Sequence, residues 1–172
     1  MSIVIFSGTP RTNGRTKIVA QTLQHKLNGT LVDLSKLDLP LFNGEESQRN
    51  HPSVQWLQRV VAEADGFIWV SPEYHNGMSG ALKNALEFLS GFHFKGKPTL
   101  LLAVAGGGKG GINALNQMRT VGRGLYAAVA PSQLVFDPEH FEGDRLRPEM
   151  EEKLDLLLAE SMADRFVDMK SS

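Results

Sequence analysis

The chain has 172 residues, 41% hydrophobic and 22% charged, with a formal net charge of -1 and no cysteine. That length suits one domain, residues 1–172, with a substantial core, and the near-zero charge gives no pull toward nucleic acid or anionic membranes. The missing cysteines exclude disulfides, thiolate nucleophiles and Cys-ligated metals, and fit a reducing compartment.

Residues 3–6 (Ile-Val-Ile-Phe) form a continuous apolar run before Ser7-Gly8-Thr9-Pro10, the pattern of a strand buried on both faces. A helix is predicted over residues 16–27, with Val19, Leu23 and Leu27 at helical spacing, then a strand at 30–34. Residues 35–52 carry two prolines and read as an excursion loop. Val54, Leu57, Val60, Val61 and Ala64 place a stripe on a second helix. Residues 66–70 predict a third buried strand stopped by Ser71-Pro72, and residues 80–90 a helix with Leu82, Ala85, Leu86 and Leu89 on one side. A fourth strand at 99–105, a helix at 112–121 and a last strand at 133–136 follow. The closing helix begins after Pro148, with Met150, Leu154, Leu157, Leu158, Met162 and Phe166 in step. No basic start with a long apolar stretch marks a signal peptide, and no run approaches the ~18 residues of a membrane span, so a cytoplasmic protein is expected.

Apolar strands alternating with helices predict an α/β domain, a parallel sheet with helices on both faces. Five strands in a chain of this length suit a flavodoxin-like order, 2-1-3-4-5, in which ligands lie beyond the carboxyl ends of the strands. Three loops leave those ends. The first, residues 7–16, opens a helix, where backbone N–H groups and the helix dipole favour an anion. Ser7, Thr9, Thr12 and Thr16 can donate to phosphate oxygens, Arg11 and Arg15 add forked donors, and Gly8 and Gly14 allow close backbone approach. The plainer alternative is a polar connection with Thr16 as helix cap. A triphosphate-binding loop fits poorly: five residues separate Gly8 from Gly14, Arg15 replaces the expected lysine, and no acidic residue ends the third strand.

The second loop reads Pro72-Glu73-Tyr74-His75-Asn76-Gly77-Met78-Ser79-Gly80, with a turn signal at Asn76-Gly77 and Ser79 as a helix cap. The third, Ala105-Gly106-Gly107-Gly108-Lys109-Gly110-Gly111, satisfies Gly-x-Gly-x-x-Gly formally. Five glycines in six positions satisfy almost any glycine template, and no acidic residue closes a strand at the spacing that fingerprint needs.

The second loop and the helix after it, Pro72-Glu73-Tyr74-His75 and Gly80-Ala81-Leu82-Lys83-Asn84-Ala85, resemble a signature of the NAD(P)H-dependent FMN reductase family. Gly8-Thr9-Pro10-Arg11 with Thr16 resembles the family's first signature, and the likeness is strongest to its short bacterial azobenzene reductases, around residues 72–89 and 103–119. His75 departs from the family's usual asparagine.

The resemblance implies that Ser7, Thr9, Arg11, Asn13, Gly14, Arg15 and Thr16 hold the FMN phosphate. It also implies that Pro72, Glu73, Tyr74, His75, Asn76 and Gly77 line the isoalloxazine ring, and that Ala105, Gly106, Gly107 and Gly108 pass its pyrimidine edge. It implies FMN as cofactor, NAD(P)H as hydride donor, a small oxidant such as an azo dye or quinone in a ping-pong cycle, and a homodimer or homotetramer. No catalytic side chain and no metal are expected, since the flavin carries the hydride chemistry. Tyr74, His75 and Lys109 are candidates for substrate or subunit contact, Lys83 and Asn84 for support of the loop or a subunit contact. Leu39, Leu41, Phe42 and Trp56 offer interface surface or ordinary core packing. A flavodoxin-type electron carrier and a phosphate-ligand or nucleotide-binding module are the competing readings.

Overall fold

Ile3, Val4, Ile5 and Phe6 are all buried, as a strand with cover on both faces requires. The computed structural model describes residues 1–108 and 110–168, with side chains through residue 161 apart from that at 109. Lys109 and the side chains of Met162 and Phe166 therefore lie outside the described residues. The first strand, β1 (Ile3–Ser7), pairs in parallel with β2 (Thr30–Asp33) on one edge and β3 (Gly66–Tyr74) on the other. β3 pairs with β5 (Pro98–Val104), and β5 with β6 (Ala128–Phe136), again in parallel. The sheet order is β2-β1-β3-β5-β6, with β4 (Gly77–Met78) added antiparallel to β3 as a sixth strand. With β4 set aside, the five parallel strands follow the expected flavodoxin-like order; the hairpin strand is the departure.

Strand side chains alternate between two cores. Val4, Phe6, Trp69 and Leu101 face α2 (Pro52–Ala62), α3 (Gly80–Glu87), α4 (Gly91–Phe94) and α5 (Ile112–Gly124). Ile3, Ile5, Ile68, Val70 and Leu102 face α1 (Arg15–Leu27) and α6 (Pro148–Asp168). The expected stripes are buried accordingly: Val54, Leu57 and Val61 on α2, Met150, Leu154, Leu157 and Leu158 on α6.

Two strands run longer than their sequence suggests. β3 continues through Pro72, because β1 stops at Ser7 opposite Val70 and β3 is an edge beyond it, where a missing N–H is tolerated. β6 begins at Ala128 rather than 133. Its register against β5 slips between Thr99 and Leu101, so residues 130–132 around Pro131 bulge. Arg119 spans that bulge, donating to Ala130 O at 2.9 Å and Gln133 Oε1 at 2.7 Å. The small hairpin of β7 (Phe141–Glu142) and β8 (Arg145–Leu146) had no periodicity to announce it.

Candidate active site

The β1–α1 loop sits at the centre of the carboxyl edge. Gly8 N donates to Val70 O at 2.8 Å, so the loop leaves β1 tight against β3. A Cβ at Gly8 would stand 2.7 Å from Val70 O and 3.2 Å from Leu82 Cβ. Gly8 thus permits a close approach to the protein's own backbone at Val70. Gly14 (φ 152) is the N-cap of α1, with no side-chain cap bond and no acidic residue in the first turn. Thr16 is therefore not the cap; it lies inside the helix and is buried. The first amides of α1 have no capping side chain, which is the condition for an anion site.

Ser7 and Thr9 are buried beside this terminus, while Arg11, Thr12 and Asn13 are exposed. Ser7 Oγ has no hydrogen-bond partner among the described residues. Thr9 Oγ1 accepts from Arg11 N at 3.2 Å, which leaves its own proton to be donated. Arg11 lies over the Tyr74 ring at 5.8 Å, and Arg15 over Phe141 at 5.9 Å. Behind the loop, Lys17 pairs with Asp33 at 3.0 Å. Burial alone would raise the Asp33 carboxyl, but hydrogen bonds from Ser35 and Lys17, and the lysine's charge, hold it below the usual carboxylate range.

The second loop is a two-residue hairpin between β3 and β4. Tyr74 faces Gly77, and the central residues His75 (φ 48) and Asn76 (φ 62) are both left-handed, as a type I′ turn demands. The positive φ values fall one residue earlier than the Asn-Gly pair suggests. Gly77 is needed instead for contact, since a Cβ there would lie 2.8 Å from Gln117 Oε1. His75 and Asn76 are exposed at the tip.

Three side chains lock this loop to its neighbours. Ser79 caps α3 by accepting from Leu82 N at 3.0 Å, and its hydroxyl also donates to Gly8 O, joining the first two loops. Glu73 Oε2 accepts from Ala114 N at 3.0 Å, so its carboxylate holds the N-terminus of α5. Gln117 Oε1 accepts from Met78 N at 3.0 Å. Ser79→Ala is expected to lower apo-protein stability by about 1–3 kcal/mol, losing a cap and a buried tie. A denaturation midpoint equal to that of the parent would show that neither bond matters.

Asn84, from the Leu-Lys-Asn-Ala segment, holds a different neighbour. It accepts from Phe42 N at 2.8 Å and donates to Pro40 O at 2.9 Å, pinning the 35–52 excursion to α3. Lys83 pairs with Glu87 one turn on.

In the third loop, Ala105 is buried and Gly106, Gly107 and Gly108 are exposed. Gly107 (φ 117), Gly108 (φ 73) and Gly111 (φ 92) all adopt left-handed backbone, which explains the glycine run conformationally. A Cβ at Gly106 would meet nothing within 4 Å, so open space faces it. The structure thus gathers the three loops at one edge, and Ser79, Gln117 and Asn113 bind them together. Of these three, only Ser79 carries a signal legible in the sequence, as a helix cap.

The profile of the NADPH-dependent FMN reductase family matches residues 1–141. The chain belongs to the NADPH-dependent FMN reductase family. It is 51% identical over 146 residues to a Bacillus sp. (strain OY1-2) NADPH azoreductase, covering 85% of this chain and 82% of that protein. It is 32% identical to the NADPH-dependent FMN reductase ArsH of Rhizobium meliloti, spanning 76% of this chain but 56% of ArsH. The fold is that of an NADH:FMN oxidoreductase, EMOB, with a TM-score of 0.79 at 24% identity over 95% of this chain and 89% of that one. As an FMN reductase it takes FMN as flavin cofactor and NADPH as reductant. The residues present fit that cofactor: an acid-free helix start, two arginines and a buried hydroxyl, with neither a cap for the helix nor a partner for the hydroxyl among the described residues. No described helix is long and apolar enough to cross a membrane.

Proposed function

We propose that this FMN reductase passes electrons from NADPH to azo compounds, with quinones as a second acceptor class, and acts in the cytoplasm. The 51% identity to a named NADPH azoreductase, sustained over most of both chains, supports the azo assignment. The single observation that carries the site is the start of α1, where, among the described residues, no side chain caps the helix and Ser7 Oγ is buried without a partner. A phosphate monoester meets the needs of both.

In this reading Ser7, Thr9 and Thr16 hydroxyls, Arg11 and Arg15, and the amides near Asn13 and Gly14 hold the FMN phosphate. The backbone from Pro72 to Gly77 and the Ala105–Gly108 segment flank the ring. Glu73 keeps its carboxylate on α5 and orients the two loops rather than touching the flavin face. Bound FMN supplies the hydride-transfer chemistry, and the protein orients it and excludes competing reactions. His75 and Tyr74 stand at the rim, His75 exposed and Tyr74 half-buried, where an incoming reductant or oxidant passes. NADPH and acceptor occupy that same opening in turn.

The reading includes a homodimer or homotetramer. Leu41 is 82% exposed, and a groove of ≈ 550 Å³ beside the second loop, lined by Met78, Lys83, Gln117 and Thr120 among others, supports a subunit contact there. Purified protein is expected to be yellow, with bands at about 370 and 450 nm that NADPH bleaches without air and an azo dye restores as it loses colour. Parallel double-reciprocal plots would accompany one opening used alternately. A protein that binds no FMN, or oxidises NADPH only with a partner protein, would overturn the assignment.

A further inference from the structure

We infer that Lys17 is a positioning residue for the β1–α1 loop, anchored by Asp33 so that the loop holds its anion-accepting shape before any ligand arrives. The inference rests on the phosphate reading above. An ammonium has three N–H donors. Three acceptors surround Lys17 Nζ: Asp33 Oδ2 at 3.0 Å, Thr12 O at 2.9 Å and Ser35 Oγ at 3.4 Å. All three donors are engaged, and the carboxylate neutralises the charge, so this lysine has nothing left for a phosphate oxygen. Arg11 and Arg15 are the cations left to it.

The bond to Thr12 O is the informative one. Thr12 is exposed at the outer part of the loop, next to Arg11, yet its carbonyl is tied to a side chain that is only 12% exposed. Asp33 is fixed in turn, accepting from Ser35 Oγ at 2.6 Å and Ser35 N at 3.0 Å. Its backbone partner across the sheet is Ser7. The end of β2 is thereby connected through Lys17 to the carbonyl of Thr12, the residue after Arg11. A loop that visits its competent shape only part of the time loses apparent affinity by that fraction.

Lys17→Met and Asp33→Asn, singly and together, test this in the apo-protein titrated with FMN and with riboflavin, which lacks the phosphate. Each variant is expected to raise the Kd for FMN about tenfold, the scale of one lost charge-assisted hydrogen bond. The riboflavin Kd stays unchanged, the double variant is no worse than either single, and amides of residues 11–15 exchange faster with solvent. Tighter FMN binding in Asp33→Asn would overturn the inference, because a lysine freed of its carboxylate would then be a direct phosphate ligand. So would an unchanged ratio of FMN to riboflavin affinity. Should Lys17→Met not fold, the near-isosteric Asp33→Asn decides alone. Charge reversal at Arg11 and Arg15 is the separate control: if it spares FMN, the phosphate reading itself fails. If it abolishes FMN binding while the Lys17 and Asp33 variants do not weaken it, only the positioning role fails.

Discussion

Arg11→Glu combined with Arg15→Glu is expected to strip FMN from the protein while leaving riboflavin binding nearly unaltered. Two charge-assisted contacts to phosphate contribute about 1.5–3 kcal/mol each, and reversed charges add repulsion, so a loss on the order of a thousandfold in FMN affinity follows. Neither arginine is part of the buried core: Arg11 is exposed and Arg15 half-buried. Their guanidiniums lie over Tyr74 and Phe141, which orients them without holding the fold together. The unfolding midpoint of the apo-protein should therefore move little. Fluorescence quenching titrations with the two flavins make the measurement, and an FMN affinity within about threefold of the parent would sink the phosphate site.

The second large effect is expected at Gly8. Gly8→Ala forces a methyl group to 2.7 Å from Val70 O, where the surrounding sheet and Leu82 have no room to yield. Moving β1 from β3 there would strain the Gly8 N to Val70 O bond of 2.8 Å and the Ser79 tie together. A loss of about 3 kcal/mol or more in stability is expected, read from denaturant unfolding of the apo-protein. Gly106→Ala is the control, because a Cβ at that position meets no protein atom within 4 Å. Its apo-protein stability should match the parent, whereas its FMN affinity falls if the ring's edge passes there. Equal stability of Gly8→Ala and the parent would mean the loop leaves β1 by another path.

The fold was largely legible because its signals are local. Continuous apolar runs at 3–6, 66–70 and 99–105 announce strands covered on both faces, and all three lie in the centre of the parallel sheet. Where the structure differs, a residue that usually breaks strands sits at an edge. Pro72 continues β3 and Pro131 occupies a bulge of β6, and local propensity alone stops a strand at either. The Asn-Gly pair located the hairpin but not its frame. His75 and Asn76 take the left-handed positions, and Gly77 is selected by the side chain of Gln117.

The sequence by itself determined the layered α/β architecture, the three loops at the carboxyl edge and the family to which they belong. Each of these is written in residues close together in the chain. Only the tertiary structure decided what those loop residues hold. Ser79 reaches Gly8 across 71 positions and Glu73 reaches Ala114 across 41, and the lysine behind the β1–α1 loop meets its aspartate on a neighbouring strand. Hydrogen bonds of that span have no periodicity and no fixed spacing. They exist because the sheet brings the ends of β1, β2, β3 and β5 to one edge, where a buried polar group must find a partner.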